Sequence, residues 1–272
     1  MDGRHQYLGG HLAELSLTRK LHQSTLTQVI RLRRSSRRLD FYTQIDWQET
    51  HKLLKVAFPT ALHSDEALHE IQFGHVRRPT HRSRPFDADR FEVSQHKWSA
   101  LVETSRGAAI LNDCKYGIST EGGTLRLTLL RSPAAPDPSA DRGEQVFTYS
   151  FYFWNGSLAE SGLIEQAYDL NIPPLVLPGA KGEGWLFKLD SPNIVLESVK
   201  PAEDGSGDLV LRLYEALHTA NRARLSVNLP IQGAWLTDML EENPAQVDVS
   251  EQNLLLDFRP FEIKTLRLRI IT

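Results

Sequence analysis

The sequence predicts an all-β protein built from antiparallel sandwiches, on three observations. Apolar and polar residues alternate with period two through most of the chain, the mark of strands with one buried face. Helical spacing is confined to one short segment. Turn residues separate many short apolar runs, which favours antiparallel sandwiches over parallel sheets. The length of 272 residues suits one or two domains, and 40% hydrophobic with 24% charged residues is enough for a real core.

Taken in chain order, the basic run Arg31–Arg38 sits at a hairpin turn. With no interleaved aromatic residues, it reads as a solvated hairpin rather than a nucleic-acid patch. In the next segment Leu39, Phe41, Ile45 and Trp47 share one face, and alternation puts Asp40, Gln44 and Asp46 on the solvent face. His75, Arg77, Arg78, Thr80 and His81 form a polar loop after an Ile71–Phe73 strand. Leu125, Leu127 and Leu129 alternate with Arg126 and Thr128. The stretch Ser132–Gly143 holds three prolines and is a surface excursion. Phe147, Tyr149, Phe151 and Phe153 then form an aromatic face opposite Thr148 and Ser150.

The helical segment is Leu163–Tyr168, ended by Asn171 and the Pro173-Pro174 pair. A Pro- and Gly-rich stretch, Ile172–Gly184, reads as a linker between two β units. Leu209, Leu211 and Leu213 resume the alternation. In the last strand Phe261 and Ile263 lie in one register and Leu266, Leu268 and Ile270 in the other, which predicts a bulge near Lys264 and Thr265.

Composition narrows the function classes. A net charge of −3 provides no long-range field to recruit nucleic acid or anionic membrane. No apolar run approaches the roughly 18 residues of a membrane span, and the first residues carry no signal-peptide core. The single cysteine, Cys114, rules out an internal disulfide framework and fits the cytoplasm. With only Lys115 as an adjacent base, Cys114 reads as a small buried hydrophobe.

The most informative stretch is Leu111-Asn112-Asp113-Cys114-Lys115-Tyr116-Gly117, followed by Leu130-Arg131-Ser132-Pro133. Polar residues cluster there directly after an apolar strand end, where a β scaffold presents site chemistry. On the residues alone a turn remains open: Asn-Asp favours turn initiation, with Gly117 supplying a positive φ. Arg131 would then make an ordinary ion pair with Asp113 or a neighbour.

These segments, in order with Arg38-Leu39-Asp40-Phe41, Glu70-Ile71-Gln72-Phe73-Gly74-His75, Arg78-Pro79-Thr80-His81, Arg90-Phe91-Glu92-Val93 and Leu211-Arg212-Leu213-Tyr214-Glu215, resemble the C-terminal region of glycoside hydrolase family 38, the α-mannosidases, in its cytosolic and bacterial branch. The resemblance runs from about Leu12 to Thr272. It implies a β-supersandwich of the galactose-mutarotase type over residues 1–184 and a smaller C-terminal β-sandwich over 185–272. It also implies a retaining glycosidase whose N-terminal α/β barrel supplies two aspartates, as nucleophile and acid/base, and binds zinc or another divalent metal.

Those parts have no counterpart here. The metal signature of the family has no match beyond His63-Ser64-Asp65, which lacks the following tryptophan. A barrel alone needs about 200 residues or more. The expectation is a chain with no catalytic residue, metal ligand or cofactor of its own. It would be the C-terminal portion of an α-mannosidase in mannose and oligosaccharide catabolism, completing the cleft of a barrel not present in it. Its partners would be an α-mannoside and either the catalytic half or a second copy. The other reading is a non-catalytic carbohydrate-binding or assembly module.

The resemblance places Asn112, Asp113, Lys115, Tyr116 and Arg131 at the substrate. Two departures from the family pattern stand out. Ser83-Arg84-Pro85-Phe86-Asp87 replaces an Asn-Thr-Ser-Trp-Asp run, and Phe153-Trp154 replaces a Pro-His pair.

Overall fold

A computed structural model describes residues 2–8, 10–179 and 184–271, with side chains from residue 10 onward. The chain divides into two compact units, Met1–Ile71 with Val76–Pro174, and Gln72–His75 with Leu175–Thr272. The strands are antiparallel in both, as expected.

In the first unit a nine-stranded sheet faces a four-stranded one. The larger runs in the order Asp2–Leu8, Leu12–Leu21, Ser24–Arg33, Arg38–Trp47, Gly143–Asn155, Arg106–Asn112, Trp98–Glu103, Glu66–Ile71 and Gly74–Pro79. The smaller runs Leu54–Pro59, Thr124–Leu130, Gly117–Glu121 and Val93–Ser94. Alternation aims Phe41, Ile45, Trp47, Phe147 and Tyr149 from the large sheet at Ile118, Leu125 and Leu127 from the small one. Burial of such side chains at about 25 cal/mol per Å² is what holds the sandwich closed.

The helix Leu163–Asn171 starts where Ser161 Oγ accepts the Leu163 N–H at 3.0 Å. It ends just before Pro173, whose ring disfavours helix in the residue before it. Leu163 and Ala167 pack on the outer face of the large sheet with Trp98, Leu111, Tyr152 and Trp154. The aromatic strand is therefore buried on both faces, while Phe153 near its end is exposed. Gly107 is required beside this strand, because a Cβ there would lie 2.1 Å from the Trp154 indole.

The helix also overturns the solvent-facing assignment of Asp40. Asp46 and Gln44 are exposed, but Asp40 is buried. It accepts from Arg38 Nε at 2.8 Å and from Ser150 Oγ at 2.7 Å, while Arg38 reaches the Gln166 carbonyl and Asp169 on the helix, both at 2.9 Å. Alternation gives the face of a residue and not what covers it.

The second unit pairs a three-stranded sheet (Phe187–Leu189, Asn221–Val227, Asn253–Phe258) with a five-stranded one (Ile194–Pro201, Leu209–Glu215, Ile263–Ile270, Ile231–Thr237, Ala245–Val247). Leu211, Leu213, Leu225, Leu254, Leu256, Leu266 and Leu268 fill the space between. The bulge expected near Lys264 and Thr265 is not there, since Ile263–Ile270 pairs with Leu209–Glu215 in unbroken register. Phe261 lies instead in the preceding turn at φ 56°, and within the strand Ile263 points away from the core face that Leu266, Leu268 and Ile270 share. Register shifts occur at Leu196/Ser198 and Ile231/Gly233. His75, Arg77 and Arg78 likewise stand on the strand Gly74–Pro79 rather than in a loop, with the turn at Gln72 and Phe73.

Candidate functional site

The strand Arg106–Asn112 ends in a loop that its last residue ties down. Asn112 is buried, donates Nδ2–H to the His96 carbonyl at 2.7 Å, and accepts the Lys115 N–H on Oδ1 at 2.6 Å. Its carbonyl accepts from Asn171 Nδ2 at 3.0 Å. A buried amide so engaged has little capacity left for a ligand. Asn112 therefore fixes the loop rather than facing solvent. Asp113 is exposed, yet its Oδ2 accepts the Thr148 N–H at 2.8 Å. The turn seen in the sequence is real, but Gly117 plays a different part. It is absent from the positive-φ residues; a Cβ there would meet Glu92 Oε1 at 2.5 Å.

The loop presents Lys115 and Tyr116. Lys115 Nζ lies 4.4 Å from the Phe147 ring centroid, a cation–π contact that aims the ammonium. Tyr116 is 59% exposed and meets His96 edge-on at 5.5 Å between centroids. Arg131, at the end of Thr124–Leu130, is exposed; its backbone N–H donates to Asp141 Oδ2 at 2.7 Å. The ion pair with Asp113 is not among the described contacts.

Lys115, Tyr116 and Arg131 share one groove of about 730 Å³, whose walls include Leu53, Phe91, Glu92 and Asp141. Asn112, Asp113 and Tyr116 line a neighbouring pocket of about 190 Å³ with His96, Lys97 and Asn171. Tyr116 is thus the wall common to both. Leu53 and Phe91, 52% and 65% exposed, give the groove an apolar rim; alternation marked neither as a site residue.

Both carboxylates of the groove are engaged. Glu92 accepts from Thr128 Oγ1 and lies 3.5 Å from Lys55 Nζ. Asp141 holds the backbone N–H groups of Arg131 and Ser132. On the groove wall, Lys52 pairs with Glu49 at 2.8 Å, and that contact, aided by the Gln23 N–H and Ser24, holds the Glu49 carboxyl down to about 2. Cys114 is exposed rather than a buried hydrophobe, because the loop turns it outward. Partial shielding, and then the Asp113 carboxylate, push its thiol up to about 11. Among the described residues no three His, Cys, Asp or Glu side chains converge as a cation would require.

Two family models match the chain. The Glycosyl hydrolases family 38 C-terminal domain covers residues 5–139, and the Glycosyl hydrolases family 38 C-terminal beta sandwich domain covers 193–266. The chain belongs to glycosyl hydrolase family 38. It corresponds to the C-terminal part of the family's α-mannosidases. It is 46% identical to human alpha-mannosidase 2C1 over 236 residues, 84% of this chain and 23% of that protein. It is 38% identical to alpha-mannosidase G of Dictyostelium discoideum, over 89% of this chain and 23% of that one. The chain thus spans about a quarter of the length of these relatives.

The fold of this family 38 chain is shared with an alpha-mannosidase from Enterococcus faecalis V583, at TM-score 0.82 and 19% identity, over 98% of this chain and 35% of that one. No helix among the described residues is long and apolar enough to cross a membrane.

Proposed function

We propose that this chain forms one wall of the substrate cleft of an α-mannosidase, against a catalytic barrel that it does not contain. The observation that carries this is the groove in which Lys115, Tyr116 and Arg131 meet. A guanidinium and an ammonium offer charged donors to sugar hydroxyl oxygens. A half-exposed tyrosine offers an apolar ring with a polar tip, the surface a pyranose stacks on. The rim residues Leu53 and Phe91 suit contact with a second protein surface.

Retaining hydrolysis requires two free carboxyl groups about 5–5.5 Å apart. Glu92 and Asp141 are committed to Thr128, Lys55 and backbone N–H groups, so the groove binds and orients while the nucleophile and acid/base come from the barrel. Asn112 and Asp113 belong to the same site as the residues that shape its loop. On this reading the protein acts in mannose catabolism in the cytoplasm, binds carbohydrate, and divides into domains at 1–184 and 185–272. Its partner is the catalytic half.

The test is release of nitrophenol from an aryl α-mannoside by the purified chain, alone and mixed with the separately expressed catalytic part of a relative. Activity in the mixture only is the expected result. Activity in neither tube with saturable mannose binding would favour the non-catalytic binding module.

A further inference from the structure

A further cavity, of about 170 Å³, opens between the two sheets of the first unit's sandwich, bordered by Phe91 and Val93 of the groove. His69 of the strand Glu66–Ile71 projects into it from the large sheet, and Ser119, Thr120 and Arg126 line it from the small one. His69 occupies an inward position of its strand, in step with Ala67 of the core, where packing alone calls for an apolar residue. It is fully buried, its Nδ1 lies 2.8 Å from Ser99 Oγ, and its Nε2 has no partner among the described residues. A second orphan lies in the same lining, Oδ1 of the buried Asp87, whose other oxygen accepts the Arg84 N–H at 2.9 Å. Buried polar atoms left without partners in a native fold call for an explanation.

The charges point the same way. The lining holds Arg78, Arg82, Arg90 and Arg126 against Asp87 and Glu121, which leaves two positive charges uncompensated. Glu121 serves Arg82 and Arg126 at the rim. Arg78 donates to the Ser94 carbonyl at 3.2 Å, and Arg90 lies over the Phe86 ring at 5.0 Å; neither has an ion pair among the described residues. Burial, and then the charge of Arg90, lower the pKa of Arg78. Burial, and then Arg78, push His69 down to about 3, so its ring is neutral at pH 7.

We propose that this cavity binds the phosphate group of a small phosphorylated polyol, with Arg78, Arg90 and His69 Nε2 as donors to the phosphate and Asp87 Oδ1 accepting from a hydroxyl of its body. With Ser99 donating to Nδ1, the neutral imidazole carries its proton on Nε2 and becomes a donor. A dianion matches the two uncompensated charges, whereas a carboxylate would match only one. The cavity borders the mannoside groove, since Phe91 and Val93 line both. The proposal rests on His69, Asp87, Arg78 and Arg90, none of which lines the groove, and does not depend on that reading.

The test is calorimetric titration of the full chain, in a buffer free of phosphate, with inorganic phosphate, glucose 6-phosphate, glucose and acetate. Saturable 1:1 binding of phosphate or glucose 6-phosphate, with neither glucose nor acetate bound, is expected. Tighter binding of the ester identifies a phosphorylated metabolite as ligand, and equal binding identifies free phosphate. R90Q and H69Q should each weaken binding about tenfold or more, the usual worth of a charge-assisted contact, while R222Q on the second unit leaves it unchanged. R78Q joins the set if it retains a cooperative melt, since Arg78 also holds Ser94. Absence of saturable binding by a chain that melts cooperatively would overturn the proposal. So would acetate binding as tightly as phosphate, or affinity unchanged in both R90Q and H69Q.

Discussion

Lys115 Nζ rests 4.4 Å from the centroid of the Phe147 ring, so a residue of the candidate site is aimed by a residue of the core. Phe147 is 1% exposed and packs with Ile45, Leu127 and Tyr149. Shortening it to leucine should cost about 1–2 kcal/mol in urea unfolding, as a change of shape in a packed core. The same variant should let the Lys115 side chain move, read as averaged methylene shifts in NMR spectra. K115M, by contrast, should change stability by less than about 1 kcal/mol, the scale of a partly exposed cation–π contact.

Asn112 is expected to be a stability residue first. N112A strips the His96 carbonyl and the Lys115 N–H of their buried partner at once. The loss should be about 2–3 kcal/mol by urea denaturation, because unsatisfied buried groups carry the full desolvation penalty. An unchanged midpoint would show that water replaces the amide.

Asp40 couples the large sheet to the helix through Arg38. D40A leaves a guanidinium with 4% side-chain exposure short of a partner. The expected cost is about 3 kcal/mol, the low end for a broken buried pair because Asp169 remains. The double variant R38M/D40L should recover most of that loss in the same unfolding assay.

Glu49 sets a pH dependence. Its carboxyl titrates at about 2 in the folded chain, below its ordinary 4.5, chiefly through Lys52. A depressed carboxylate contributes stability that is complete above the unfolded value and drains away as pH falls through the folded one. The stability gap between the native chain and E49Q should be flat above about pH 5 and close toward pH 2. Thermal melts across that range measure it.

Much of the fold is legible in the sequence because period-two alternation is a strong signal. Leu39, Phe41, Ile45 and Trp47 face the core as expected, and the helix begins at Leu163. What alternation does not carry is the layer on the other side. Alternation alone puts Asp40 in solvent because the helix that covers it lies over a hundred residues away in the chain. Phe261 and Ile263 looked like one strand because nothing local marks a turn at a phenylalanine with positive φ.

The site was legible in part. The polar loop after Leu111 is visible as a cluster, but sequence cannot tell Asn112, consumed inside, from Lys115 and Tyr116, presented outside. The exposure of Cys114 depends on how the loop turns. The convergence of Arg131 with Lys115 follows from the pairing of Thr124–Leu130 with Gly117–Glu121. Of the cavity around His69, the polar cluster Arg78, Thr80 and His81 is visible in the sequence, but His69 is not, since one histidine in a strand is unremarkable until its Nε2 proves to lack a partner.

The most direct measurement is kcat/KM toward an aryl α-mannoside for the chain combined with a family catalytic part, native against R131Q and Y116A. A fall of about tenfold or more in each variant, at unchanged melting temperature, is expected if the groove binds the sugar in the transition state. Full activity in both variants, or hydrolysis by the chain with no catalytic part present, would contradict the assignment of the groove to the substrate cleft.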